Sequence, residues 1–254
     1  MESRHDGRRV LVTGAGSGIG RGIVLRMLAE GARVVGGDID EQGLKGTVEA
    51  AADHADRLLT VAVDISDQDS AQAACGTATD HLGGLDVLVN AAGIMRAART
   101  HEMSLDLWNQ VINVNLTGTF LMCRAALPQL LQSDHPVIVN FSSTAAFGSN
   151  PYMAAYSASK GGVNALTHSL ALEYVKQGLR AVNIVPGGIT TGITDNLALP
   201  ADADWGLMAR LTGWINGGAL GNPADVAGVV AMVTSKDGRY ITGSEIRVDG
   251  GALM

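Results

Sequence analysis

The chain has 254 residues, of which 46% are hydrophobic, 17% charged and 4% aromatic, with 33 glycines. This is the composition of a globular protein with an aliphatic core, not of a disordered one, and the length suffices for one large α/β domain. A formal net charge of −7 gives no electrostatic reason to expect nucleic acid or an anionic membrane as a partner.

The first nine residues, MESRHDGRR, are charged and lack an apolar core, so no secretory signal is expected. No apolar run approaches the roughly 20 residues of a membrane span, and a cytoplasmic location is expected. Cys75 and Cys123 fall in helix-like stretches without metal-ligand spacing, and both read as free buried thiols.

Short apolar runs predict strands at 9–13, 33–38, 58–63, 87–90, 137–142, 180–185 and 245–248, separated mostly by segments of helical length. Alternation of this kind predicts a doubly wound α/β fold with a seven-stranded parallel sheet and helices on both faces. Runs such as VIVNF and LDVLVN are almost wholly apolar, as strands covered on both faces should be. No repeat or linker marks a boundary, so residues 1–254 are expected to form one domain.

The first strand leads into Thr13-Gly14-Ala15-Gly16-Ser17-Gly18-Ile19-Gly20, which opens the first helix. Glycines here allow a sharp turn, close approach of the backbone to a pyrophosphate, and tight packing of helix on sheet. The helix amino terminus offers N–H groups and partial positive charge to phosphates. A glycine-rich chain also makes such turns for purely structural reasons, but the strand before and the helix after favour a dinucleotide site.

Asp38 ends the second strand about 20 residues beyond the turn, where a carboxylate accepts from the adenosine ribose hydroxyls. No Lys or Arg stands at positions 17, 37 or 39 to receive a 2′-phosphate, which favours NAD over NADP. The competing role for Asp38 is to cap the next helix. Asp64 closes the third strand and is placed either to accept from the adenine amino group or to cap a helix near Asp67.

Ser142 ends the fifth strand and Ser143 lies just at its carboxyl end, where the sheet faces the ligand crevice. Strand alternation sends them to opposite faces, so one of them is expected in the site, where a hydroxyl can donate to a substrate oxygen. Thirteen residues after Ser143 comes Tyr156-Ser157-Ala158-Ser159-Lys160, at the start of a helical stretch running to about residue 177. A spacing of four puts Tyr156 and Lys160 on one helix face. An ammonium there is expected to lower the phenol pKa from near 10 and suit it to acid/base work.

Residues 187–222 break the alternation and carry Trp205, Leu207, Met208, Leu211, Trp214 and Ile215. An excursion leaving a strand's carboxyl end is placed to cover a ligand, or to pack on another subunit. Met95, Ala145, Phe147, Met153 and this segment are expected around the reacting carbon, which favours a medium-sized hydrophobic or cyclic secondary alcohol. Arg96 and Arg99 are either carboxylate contacts or solvated loop residues.

Together these blocks resemble the short-chain dehydrogenase/reductase family over essentially the whole chain: TGAGSGIG (13–20), Asp38, Asp64, NAAG (90–93), Asn115 in NVNLTGTF, Ser143, Tyr156 with Lys160, Pro186-Gly187 and VDGG (248–251). The resemblance implies that Tyr156 is the catalytic acid/base, that Ser143 rather than Ser142 orients the substrate, and that Lys160 tunes the tyrosine and holds the nicotinamide ribose. It implies that Asn115 anchors a water leading from Lys160 to solvent, and that Asn90 braces the sheet and approaches the cofactor.

Gly14, Ser17, Gly18, Ile19, Gly20, Asp38, Asp64, Ile65, Asn90, Gly93 and Pro186 would contact NAD, with Ile189 and Thr191 meeting the carboxamide. The implied reaction is concerted: Tyr156 takes the hydroxyl proton as hydride passes to the nicotinamide, or the reverse. Gly188 stands where many relatives carry a larger residue. A homodimer or homotetramer is implied, with one interface through 105–131 and 154–177. Other readings are an NADPH-linked reductase resembling 3-oxoacyl-carrier-protein reductases, which Asp38 argues against, and a non-catalytic dinucleotide sensor. No metal is expected.

Overall fold

The computed structural model describes residues 3–148, 150–192, 197–208 and 213–254. Seven strands form one sheet: β1 (Arg9–Thr13), β2 (Arg33–Asp38), β3 (Leu58–Ala62), β4 (Val87–Asn90), β5 (Val137–Phe141), β6 (Arg180–Pro186) and β7 (Ser244–Val248). All pair in parallel, in the order β3-β2-β1-β4-β5-β6-β7. The expected strands are all present, with ends moved by one residue at β3, β5, β6 and β7.

Alternation along each strand divides the core into two layers. Val10, Val12, Val87, Val89, Val137 and Val139 pack on one face against helices α1 (Gly18–Ala29), α2 (Glu41–Ala51) and α8 (Pro223–Thr234). Leu11, Leu88 and Ile138 pack on the other, against α3 (Gln68–Leu82), α5 (Thr119–Leu130) and α6 (Ala154–Glu173). Cys75 and Cys123 are free and buried in this second layer. Two shorter helices, α4 (Leu105–Ile112) and α7 (Trp205–Met208), precede α5 and α8.

The strand order reverses between β1 and β4, and the loops leaving these two strands meet there. Gly14 has φ 71°, and a Cβ on it would lie 2.7 Å from the Ala92 nitrogen. A side chain would therefore force the two loops apart and distort the crevice where open α/β sheets bind ligands. Gly20 is equally constrained, since its Cβ would fall on the Gly14 carbonyl and lift α1 off the turn. Leu211, expected in the 187–222 excursion, lies outside the described residues. Among those residues no helix is long and apolar enough to cross a membrane.

Candidate active site

A cavity of about 460 Å³ occupies the crevice, walled by Gly14, Ser17, Gly18, Ile19, Gly20, Asp38, Asp64, Ile65, Gly93 and Thr191 among others. Ser17 caps α1 in extended conformation without a side-chain bond to the first turn, and that turn holds no acidic residue. The N–H groups at this helix end thus stay available to an anion. Asp38 accepts from the Gly16 N–H at 2.8 Å and the Asp40 N–H at 2.9 Å, so its carboxylate both pins the glycine turn and borders the cavity. Asp64 accepts from the Ser66 N–H and hydroxyl, at 2.9 and 2.6 Å, while Asp67 is the residue that caps α3. Among the described residues walling this cavity there is no Lys or Arg. Arg21, near the turn in sequence, donates instead to Thr47 and to the carbonyls of Gly16 and Gly43.

A second cavity, of about 530 Å³, shares Ile19, Ala91, Gly93 and Thr191 with the first. Ser142, Ser143, Tyr156, Lys160, Pro186 and Ile189 border it. Ser142 and Ser143 both reach the wall, against the expectation of one, because the chain leaves β5 at Phe141 and strict alternation stops there. They differ in freedom. The Ser142 hydroxyl donates to the Lys160 carbonyl at 3.0 Å, whereas the Ser143 hydroxyl accepts from the Ala145 N–H at 3.1 Å and shares the cavity wall with Tyr156.

Lys160 is buried and its Nζ donates to the Phe141 carbonyl at 2.8 Å. Burial lowers its pKa to about 8. The expected depression of the Tyr156 pKa is corrected: shielding from water pushes the phenol up, and the Ser143 hydrogen bond pulls only partly against it. The ammonium sits 5.7 Å from the Tyr156 ring centroid and spends a donor on the β5 carbonyl, which weakens its pull on the phenol oxygen.

Asn115 lies in a π-helical turn, Asn113–Gly118, that joins α4 to α5. Its amide accepts from the Ile94 N–H at 2.8 Å and donates to the Ile94 carbonyl at 2.9 Å and to Ser159 at 3.0 Å. The extra residue of a π turn aims this side chain at the loop after β4, a feature with no signature in the sequence. Asn90, expected to approach the cofactor, borders neither cavity. Its amide turns along the sheet to Asn140 at 2.8 Å, and Asn140 donates to Thr167 at 2.9 Å, which ties β4 and β5 to α6.

Met95 and Met153 border the second cavity as expected, joined by Leu197, Trp205, Met208 and Leu220. Ala145 and Phe147 do not, because a 3₁₀ turn at Thr144–Ala146 carries them away and Phe147 lies under the Arg247 guanidinium. Thr144 and Asn150 take their place and add a hydroxyl and an amide to the polar groups of Ser142, Ser143, Tyr156 and Lys160 on the wall. Neither Arg96 nor Arg99 borders it; Arg99 is paired with Asp202.

The model of the short chain dehydrogenase family matches residues 8–201. A 2,5-dichloro-2,5-cyclohexadiene-1,4-diol dehydrogenase from Sphingobium indicum is 36% identical, covering 99% of this chain and 98% of that protein. A 3beta-hydroxysteroid dehydrogenase from Eggerthella lenta is 38% identical, over 98% of this chain and 94% of its own length. The crystal structure of a short chain dehydrogenase from Burkholderia cenocepacia in complex with NADP superposes with a TM-score of 0.89 at 30% identity, covering 99% of this chain and all of that one. The crevice that backs onto a tyrosine-bearing cavity is thus that of an oxidoreductase using a nicotinamide dinucleotide, and the chain belongs to the short-chain dehydrogenase/reductase family.

Proposed function

We propose that the protein is an NAD-dependent dehydrogenase or ketone reductase acting on a medium-sized, largely apolar, cyclic secondary alcohol or its ketone. The observation that carries this reading is the position of Tyr156, on the same wall as Ser143 and Lys160 of a largely apolar cavity that opens into the glycine-turn crevice. The two relatives named for a cyclohexadiene diol and a hydroxysteroid support the substrate class. Preference for NAD rests on Asp38 and on the lack of a Lys or Arg among the described residues of the crevice wall.

The dinucleotide, when bound, supplies or accepts the hydride. Gly14, Ser17, Gly18, Ile19, Gly20, Asp38, Asp64, Ile65 and Gly93 would hold it, with Thr191 at the boundary of the two cavities and Pro186 and Ile189 on the wall of the second. Ser143 donates to the substrate oxygen and fixes it beside Tyr156. Tyr156 gives its proton to that oxygen in reduction and takes the hydroxyl proton in oxidation. A raised phenol pKa keeps the proton on Tyr156, which suits it to reduction. Oxidation draws on Lys160, whose positive charge, still held at neutral pH, stabilises the phenolate as it forms. Asn115, locked to Ile94 and Ser159, holds the loop that carries Gly93 against Lys160.

Residues 197–208 form a cover over the substrate cavity, since Leu197, Trp205 and Met208 wall it from outside the sheet. Leu105 (71% exposed) and Leu172 (79%) lie on α4 and α6, where a homodimer or homotetramer would bury them. The test is formation of NADH from a panel of cyclic secondary alcohols, with the wild type and Tyr156→Phe compared. Turnover should drop by about 10³-fold while NADH binding stays within about 2-fold. Wild-type turnover in the variant would remove Tyr156 from the chemistry.

A further inference from the structure

Among its described residues, the excursion that walls the substrate cavity is fastened at its base, its middle and its far part, by different means. Its base is closed by backbone pairing: the Thr190 N–H donates to the Gly221 carbonyl and the Gly221 N–H to the Gly188 carbonyl, both at 2.9 Å. Its far part is held by the Trp214 and Ile215 N–H groups, which donate to the Gly250 carbonyl at 2.7 and 3.1 Å. Between these, residues 200–208 carry Trp205 and Met208 to the cavity, and here side chains reach in from outside the excursion.

Arg99 pairs with Asp202 at 2.5 Å. The Tyr152 phenol oxygen accepts from the Asp204 N–H at 2.9 Å. Asp204 is also the cap of α7, its carboxylate accepting from the Gly206 and Leu207 N–H groups at 2.8 and 3.2 Å. The phenol of Tyr152 therefore grips the residue that caps the short helix whose Trp205 and Met208 face the cavity.

The two gripping residues brace each other. The Arg99 guanidinium lies 5.7 Å from the centroid of the Tyr152 ring, and the Tyr152 carbonyl accepts from the Ala98 N–H at 2.8 Å. Tyr152 sits at φ 65°, a backbone conformation that side chains other than glycine rarely adopt. Such strain persists where surrounding contacts over-determine it, and it marks candidate functional positions. Met153, next in the chain, is a buried wall of the same cavity.

We propose that Arg99 and Tyr152 are positioning residues, a latch that holds α7 against the substrate cavity and so sets substrate affinity and product escape without touching the dinucleotide. This rests on reading residues 197–208 as the cover of the substrate site. Tyr152 is the stronger half. Asp202 is 74% exposed on its side chain, and an ion pair so open to water contributes little by itself.

Tyr152→Phe keeps the ring under Arg99 and removes only the oxygen. It should speed amide exchange at 204–208 while leaving the strands unchanged. It should also raise KM for the alcohol about 5-fold, with kcat equal or higher and NADH affinity within about 2-fold. Asp202→Asn should raise KM about 2-fold at low salt, and the difference from wild type should vanish near 1 M salt, where the screening length is about 3 Å. Unchanged exchange at 204–208 in Tyr152→Phe overturns the latch. So does an unchanged KM, or a parallel fall in kcat, NADH affinity and melting temperature, which would mark a purely structural role. The exchange measurement requires no turnover, so it decides the latch even where the assigned reaction fails.

Discussion

At the amino ends of the strands, arginines join helices to the sheet; at the carboxyl ends, glycines let loop and helix approach closely beside an open crevice. Arg9, Arg33 and Arg180 each begin a strand. Arg9 donates to the Gly83 carbonyl, and Arg33 to those of His81 and Leu82, at the end of α3. Arg180 and Arg8 donate to the carbonyls of Val233 and Thr234, at the end of α8. Helices in such a fold run opposite to the strands, so their unpaired carbonyls and negative dipole ends gather here, where guanidinium groups satisfy both. The other end collects the N–H termini, the glycine turn and the two cavities. One end is filled with charge-assisted bonds, and the other is kept open for ligands. Changes at the two ends should therefore register in different measurements.

Tyr156→Phe marks one extreme, a large loss of turnover at nearly constant stability. Glu30→Gln should mark the other. Glu30 is fully buried at the end of α1 and accepts from Arg4 at 2.6 and 2.9 Å, from Arg26 at 2.5 Å and from His5 at 3.0 Å. A neutral amide there leaves two guanidinium groups without their counter-charge, at a cost of about 3 kcal/mol. Urea unfolding should show that loss, while kcat/KM of the folded fraction stays at the wild-type value. A loss below about 1 kcal/mol would show that this end carries less of the stability than its bonding suggests.

The same cluster fixes the response to acid. Its arginine and histidine bonds outweigh the burial that opposes them and hold the Glu30 carboxyl at about 2, against an ordinary 4.5. Asp86, bonded by Arg9 and Ser133, is likewise held at about 2 against 3.8. Folded values below unfolded ones mean stabilisation that is complete above about pH 5 and lost as pH falls through 4.5 towards 2. For Glu30 that loss is about 3 kcal/mol and for Asp86 about 2 kcal/mol. Unfolding free energy followed across this window should fall steeply in the wild type and less steeply in Glu30→Gln. Equal slopes would place the titrating group elsewhere.

Most of the carboxyl end could be read from the sequence, because its chemistry rests on local spacing. The glycine turn, Asp38 one strand later and Tyr156 one helical turn before Lys160 each lie within a single βα unit. The seven strands were equally plain as apolar runs. Their ends moved by a residue because pairing stops where a neighbouring strand stops. What escaped is non-local. The Arg99–Asp202 pair spans 103 residues and the Asp204–Tyr152 bond 52, so neither has a spacing to recognise. The π turn that aims Asn115 and the 3₁₀ turn that removes Phe147 from the cavity depend on packing, not on residue type. The raised Tyr156 pKa depends on burial, where spacing had suggested only the ammonium. The strand-initial arginines were visible as residues but not as a system, since each meets a helix end supplied by another part of the chain.

Asp38 is the residue at the carboxyl end most like those at the amino end, because its carboxylate already serves two backbone N–H groups. That double duty sharpens what its replacement should do. Asp38→Ala removes the acceptor for the Gly16 N–H and loosens the turn, so affinity for both dinucleotides should fall. It also removes the negative charge from a crevice wall that has no cation among its described residues to offset it, which relieves repulsion of a 2′-phosphate alone. The ratio of kcat/KM with NAD to that with NADP should therefore shrink by about 10-fold, or about 1.4 kcal/mol, beyond any common loss. Asp38→Asn, which keeps an acceptor for the turn, should show the same change of ratio with less of the common loss. Equal ratios in wild type and both variants would mean that Asp38 only caps the turn, and that this end, too, is discriminating through bonds the backbone makes.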